Sequence, residues 1–261
     1  MGQHFLLDLN LTRKIARAAG RIDSGTIIEI GPGPGGLTRA LLLEGASRVV
    51  AIEADTRCLD ALTEISAAFP GRLEIIAADA MEIDVATIGD APRQIVSNLP
   101  YNIGTALLLR WLHSVGAFAG FTLMFQKEVA QRLLARPRTK DYGRLSVLTQ
   151  WLTEVTLLFD VPAAAFTPAP KVTSTVVQIT PRTEPLCPAD RSCLERVTSA
   201  AFGQRRKMLR QSLRQITADP QALLAAAAIP DTARAEEIDI AGFCALARAL
   251  EGRRDRADEA R

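Results

Sequence analysis

Histidine is scarce in this chain, with only His4 and His113 among 261 residues. That scarcity works against Ser-His-Asp and Cys-His catalysis, both of which need an imidazole base. His113, within Leu109-Arg110-Trp111-Leu112-His113, reads as a helix-surface residue. Cysteine is equally sparse: Cys58, Cys187, Cys193 and Cys244 form no CxxC pair. This disfavours a zinc site or a disulfide framework, predicts structural thiols in a reducing compartment, and leaves no metal to expect. No apolar run approaches the roughly 20 residues that a bilayer requires. The sequence therefore predicts a cytoplasmic protein with neither a membrane span nor a signal peptide.

Net charge is also small, +2 at pH 7, but it is unevenly placed. Residues 1–181 carry 17 basic and 17 acidic side chains, whereas 196–218 carry Arg196, Arg205, Arg206, Lys207, Arg210 and Arg214 with no acid. A second basic cluster, from Lys127 to Arg144, has six basic residues against Glu128 and Asp141. Both point toward a polyanion. In the first cluster Arg206, Arg210 and Arg214 recur every fourth residue, which predicts one helix stripe opposite Leu209, Leu213 and Ile216.

Apolar runs at Ile27–Ile30, Val49–Ile52, Leu73–Ala77, Gln94–Val96, Phe121–Phe125, Val155–Phe159 and Thr175–Ile179 read as strands, with helical stretches between the first five. The interior runs lack polar alternation, as parallel strands covered on both faces do. Strand and helix taking turns predict a doubly wound α/β fold with a mostly parallel sheet. The alternation stops near Pro181, and Pro181–Pro188 reads as a linker. Beyond it Arg205–Ile216, Gln221–Ala228 and Ile240–Leu250 have helical spacing, and Gly252–Arg261 reads as a charged, frayed end. Two domains are expected, 1–181 and a small all-α domain over 182–261.

Gly31, Gly33 and Gly36 match GxGxxG directly after the first apolar run, and Glu53 ends the next strand. Glycine permits the tight turn and close approach of a cofactor, and the acid accepts hydrogen bonds from two ribose hydroxyls. This loop serves a nicotinamide dinucleotide as well as a methyl donor, so an NAD-dependent oxidoreductase remains open at this point. The next two strand ends carry Asp79-Ala80-Met81 and Ser97-Asn98-Leu99-Pro100-Tyr101. Asp79 can accept from an adenine amino group and Met81 can lie on its ring. Asn98 and the following rigid Leu-Pro offer carbonyl acceptors for an exocyclic amine, with Tyr101 a flat face for its ring. Glycine loop and Asn-Leu-Pro-Tyr together predict a methyltransferase acting on a planar amine.

The segments Gly2–Leu6, Glu29–Gly36, Asn98–Tyr101, Gln126–Val129, Tyr142–Ser146, Phe166–Val172 and Phe202–Lys207 resemble the KsgA/RsmA family of ribosomal RNA adenine dimethyltransferases, over nearly the whole chain. The resemblance implies a class I (Rossmann-like) methyltransferase fold with a helical C-terminal domain. It implies an enzyme that uses S-adenosylmethionine to place two methyl groups on N6 of each of two adjacent adenines in the 3′-terminal hairpin loop of 16S ribosomal RNA. Its partner would be 16S rRNA in the small ribosomal subunit, and the chain a monomer. The erythromycin-resistance methyltransferases of 23S rRNA and the mitochondrial transcription factor B proteins resemble the same family. An RNA assembly factor that binds cofactor with little catalysis is a further alternative.

Carried over residue by residue, the resemblance puts Gln3, His4 and Leu6 beside the methionine part of the cofactor and Gly31 beneath it. It assigns Glu53 to the ribose, Asp79 to the adenine, and Asn98 to both cofactor and target amine. Many members carry Asn where this chain has His4, and a short basic stretch before the first motif. For the chemistry, the side-chain carbonyl of Asn98 and the backbone carbonyl of Leu99 would accept the two amino hydrogens, with Pro100 aiming Leu99. Tyr101 would stack on the base, and Phe166, in a loop before the last strand, would cover its other face. Arg205, Arg206, Lys207, Arg210, Arg214, Lys127, Arg144 and Lys171 are the expected RNA contacts.

Overall fold

The computed structural model describes residues 4–259, with side chains as far as residue 253. In chain order the strands are β1 (Phe5–Leu6), β2 (Thr26–Ile30), β3 (Val49–Glu53), β4 (Leu73–Ala77), β5 (Arg93–Asn98), β6 (Gly120–Gln126), β7 (Thr153–Val161), β8 (Phe166–Thr167) and β9 (Ser174–Pro181). The helices are α1 (Leu9–Ala18), α2 (Gly36–Leu43), α3 (Leu59–Ala68), α4 (Gly104–Trp111), α5 (Lys127–Leu133), α6 (Arg144–Leu152), α7 (Arg191–Gly203), α8 (Leu209–Ser212), α9 (Pro220–Ala226) and α10 (Ile240–Glu259).

Seven strands form one sheet in the order β4-β3-β2-β5-β6-β9-β7. β2 pairs in parallel with both β3 and β5, β4 with β3 and β6 with β5, while β9 runs antiparallel to β6. Every residue of β2 and β3 is buried, which explains why their sequences run apolar without alternation. Each apolar run named above as a strand is one. The Asp8 carboxylate starts α1 by accepting the amide hydrogens of Asn10 and Leu11, supplying partners that the helix itself cannot. The two-residue β1 pairs antiparallel with β8, joining Phe5 to Thr167 and Leu6 to Phe166.

The chain divides into two compact units, 1–130 with 154–181, and 131–153 with 182–261. The first contains the sheet, and its core gathers Ile15, Leu41, Val49, Val96, Met124 and Val176, among others. The second is helical around Tyr142, Phe202 and Phe243, whose rings meet at centroid distances of 5.8 and 5.3 Å. The division differs from the sequence expectation, which keeps 131–153 with the sheet. Trp151 accounts for the difference: it is 3% exposed, its indole donates to the Cys187 carbonyl at 2.7 Å, and its own carbonyl accepts the amide of Leu186 at 2.8 Å.

The expected helix from Arg205 to Ile216 is also shorter than its spacing suggests. Residues 204–206 form a turn, Met208 bridges to Arg234, and helix begins only at Leu209. Arg206 therefore does not share a helix face with Arg210 and Arg214. At the other end α10 continues through Glu259 instead of fraying from Gly252.

Candidate active site

The carboxyl ends of β2, β3, β4 and β5 all open onto one cavity of about 1070 Å³, the position where open parallel sheets bind ligands. Gly31 leaves β2 at φ +64°, a backbone conformation that favours glycine, and a side-chain carbon there would crowd the Pro100 ring at 3.3 Å, so the glycine loop and the Asn98–Tyr101 loop approach each other closely at this point. Gly33 faces another way. A side-chain carbon there would fall 2.6 Å from the Phe5 ring, and its amide donates to Glu53 Oε2 at 2.8 Å. Gly33 thus holds an acid and does not itself line the cavity, as a direct cofactor contact would.

Glu53 is 4% exposed, and its second oxygen accepts the amide of Asp55 at 2.8 Å. Two backbone donors fix the carboxylate at the cavity wall, with lone pairs remaining on both oxygens for further hydroxyl donors. Glu29, which the sequence reading passed over, is a second acid in the same wall. It is 2% exposed and accepts a hydrogen bond from Thr38 Oγ1 at 2.6 Å. Burial, opposed by the Thr38 hydrogen bond and helped by nearby Glu53, pushes its carboxyl up to about 8. Its place just before the glycine loop was the available signal.

At the end of β5, Asn98 Nδ2 donates to the backbone carbonyl of His4 at 3.1 Å. This bond orients the amide, so Oδ1 is the atom left as acceptor. Pro100's carbonyl receives the amides of Ile103 and Gly104 at the start of α4, whereas among the described residues no donor reaches the carbonyl of Leu99. Two acceptors thus remain at this loop. The Tyr101 hydroxyl lies 2.5 Å from Ser174 Oγ, and its ring centroid is 5.6 Å from that of His4. Burial raises the Tyr101 phenol above its ordinary value, with the Ser174 bond acting the other way, so at neutral pH it is an uncharged ring. His4 is itself held by Nδ1 against the Pro168 carbonyl at 2.7 Å.

His4, Leu6, Gly31, Glu53, Asp79, Asn98, Leu99, Pro100 and Tyr101 are brought to this one cavity. Gln3 lies outside the described residues. Two other expected residues do not line it. Met81 sits in the turn after β4, where its amide donates to Asp79 Oδ1 at 2.8 Å. Phe166, 4% exposed, belongs to the apolar core beside Leu6, because β8 is paired with β1 and burying the ring removes a large apolar surface from water. The ring does not line the cavity in this structure.

The basic residues are corrected in part. Arg205 pairs with Glu236 at 2.9 Å, Arg210 with Asp231 at 3.2 Å and Lys127 with Asp160 at 2.6 Å. Among the described residues Arg206, Lys207 and Arg214, all exposed in the second unit, have no carboxylate partner, and the same holds for exposed Arg144 and Lys171. Lys207 and Arg214 line a surface cavity of about 520 Å³ with Gln204, Gln211 and Gln215. Among the described residues no three His, Cys, Asp or Glu side chains could hold a metal ion, and no helix is long and apolar enough to cross a membrane.

The profile of the family described as "Ribosomal RNA adenine dimethylase" matches residues 1–251. The chain belongs to that family. Within it, "Ribosomal RNA small subunit methyltransferase A" from Rhodospirillum rubrum is 64% identical over 251 residues, covering 96% of this chain and 87% of the relative. The protein of the same name from Paramagnetospirillum magneticum is 62% identical over 253 residues, covering 97% and 90%. Among solved structures, a dimethyladenosine transferase from Plasmodium falciparum superposes with a TM-score of 0.78 at 24% identity, covering 95% of this chain and 98% of that one. The 23S rRNA methyltransferase ErmE does so with 0.67 at 27% identity, covering 95% and 99%. The fold of this adenine dimethylase is that of a class I methyltransferase.

Glu29 gives the site a pH signature. Its folded-state pKa of about 8 stands above the ordinary carboxyl value, so the folded protein binds a proton that the unfolded chain releases. Stability from this group is present at acidic pH and is lost as pH rises toward 8, by up to about 1.4 kcal/mol per pH unit. Urea unfolding of wild type and Glu29→Gln between pH 5 and 8 should show a fall in wild type that the variant lacks; parallel profiles would mean an ionised carboxylate.

Proposed function

We propose that this chain transfers methyl groups from S-adenosylmethionine to N6 of two adjacent adenines in the 3′-terminal hairpin loop of 16S ribosomal RNA, two on each, during maturation of the small ribosomal subunit. The carrying observation is the meeting of Glu53 and the Asn98–Tyr101 loop on one cavity, with the Asn98 amide oriented by the His4 carbonyl. The small-subunit methyltransferases at 62–64% identity support 16S rRNA as substrate, against 27% for the 23S rRNA enzyme.

The cavity's donor set fits the methyl donor. Glu53, fixed by two backbone amides, would hold the ribose, exposed Asp79 would take the adenine amine, and His4, Leu6 and Gly31 would border the methionine portion. S-adenosylmethionine supplies an electrophilic methyl group. The adenine N6 lone pair is delocalised into its ring, so the protein's task is to hold the amine in a more pyramidal geometry, in line with that methyl. Asn98 Oδ1 and the Leu99 carbonyl accept the two amino hydrogens and stabilise positive charge growing on nitrogen. Tyr101 provides the stacking face, worth about 1–3 kcal/mol to an extruded base. No strong base is needed.

In the helical unit, Arg206, Lys207 and Arg214 form the RNA-docking surface, with Gln204, Gln211 and Gln215 adding amide donors and acceptors around the shallow cavity. Arg144 of the same unit and Lys171 of the sheet unit add further phosphate contacts. Arg205, Arg210 and Lys127, already neutralised by carboxylates, contribute less to the attraction of phosphate.

Glu53→Ala should weaken S-adenosylmethionine binding by about 1.5–3 kcal/mol, with NAD affinity negligible in both proteins; calorimetry that finds tight NAD binding, or unchanged methyl-donor affinity, would overturn the cofactor. Asn98→Ala should slow single-turnover methylation at least about 100-fold while RNA affinity hardly changes. A near-normal rate with saturating donor and unmethylated small subunits would reduce Asn98 to a turn residue. Changing Arg206, Lys207 and Arg214 together to Gln should flatten the dependence of log affinity for subunits on log salt by up to about 3 units. Coincident slopes would remove these residues from the interface.

A further inference from the structure

Ser174 has no part in the chemistry described so far, yet its hydroxyl is fully buried at the first residue of β9 and bonded to the phenol of Tyr101 at 2.5 Å. The two residues are 73 positions apart. A buried hydroxyl needs a partner, and here the partner is the one aromatic ring of the Asn98–Tyr101 loop.

The anchor is rigid. Ser174 lies in register with Gln126 of β6, and the carbonyl of Thr173 accepts the Lys127 amide at 2.9 Å. Thr175, 2% exposed, donates to Asp160 Oδ1 at 2.7 Å, and Asp160 Oδ2 receives Lys127 Nζ at 2.6 Å. The start of β9 is therefore pinned from β6, from β7 and from the residue that opens α5. Tyr101, by contrast, sits in a turn, half-buried, on a side chain with two free torsions. Fixing its hydroxyl fixes the first torsion, and with it the direction of the ring axis and the place of the ring at the cavity; the second torsion turns the ring about that axis without moving the hydroxyl.

We propose that Ser174 is a positioning residue for methyl transfer: it holds the Tyr101 ring in the place where it receives the target base. The inference rests on the reading of Tyr101 as the stacking face. RNA affinity comes mainly from distributed phosphate contacts, so a loosened ring acts after binding, at the step that brings the base in line with the methyl donor.

The test compares Ser174→Ala, Tyr101→Phe, the double variant and Tyr101→Ala in single-turnover methylation of unmethylated small subunits. Ser174→Ala and Tyr101→Phe should each slow the reaction about five- to tenfold, the worth of one hydrogen bond. The double variant should be no slower than either single. Affinities for subunits and for S-adenosylmethionine should stay within about twofold of wild type for both single variants, since neither removes a contact to those ligands. A purely structural hydroxyl would instead lower the melting temperature of Ser174→Ala and leave the rate of the folded enzyme intact, which overturns the proposal. So does additivity in the double variant. Tyr101→Ala separates the two readings: a wild-type rate there would remove the stacking face itself, whereas a large loss with normal Ser174→Ala kinetics would overturn the role of Ser174 alone.

Discussion

β2 is paired in parallel on both sides, with β3 on one and β5 on the other, and the arrangement of the site depends on this. The chain must leave β2 toward one edge of the sheet, return, and cross to the other edge, so beyond Gly31 and Pro100 the loops after β2 and β5 part and leave a crevice between them. Fully buried strands give that crevice an unyielding floor. The chemical groups lie at the strand ends and on the loops above them, where a side-chain carbon on Gly31 would crowd the Pro100 ring at 3.3 Å.

A second level of organisation restrains the loops themselves. The amides of Gly33 and Asp55 hold Glu53, Asp79 closes its own turn through Met81, and the His4 carbonyl turns the Asn98 amide. Side chains that would meet a ligand are thus already committed to one orientation by main-chain atoms. Such preorganisation lowers the reorganisation needed when charge develops. The neutral Tyr101 and the strongly raised Glu29 show the other side of burial, which keeps ionisation out of parts of the wall.

The strands and the strand-end chemistry were legible because both are local signals: uninterrupted apolar runs for buried parallel strands, and polar or glycine residues immediately after them. What stayed hidden depends on distant partners. The charge of 196–218 looks undiluted in sequence, but Asp231 and Glu236, which lie 21 and 31 residues beyond the arginines they meet, neutralise Arg210 and Arg205. Nothing in the sequence near Trp151 says which core its indole enters. Phe166 stands in a motif that suggests a ring at the site, and only the pairing of β8 with β1 reveals the ring in the core.

The contact that orients Asn98 comes from the main chain of residue 4, and a backbone carbonyl is the same whatever side chain follows it. Position 4 can consequently change identity over evolutionary time without altering the amide on which the amine acceptor depends. The histidine here adds an imidazole beside Tyr101 and a tie to Pro168, while the carbonyl that matters to Asn98 belongs to the main chain. What would disturb Asn98 is a shift in chain path at residue 4, so the sensitivity of the segment that enters β1 lies in its course rather than in its composition.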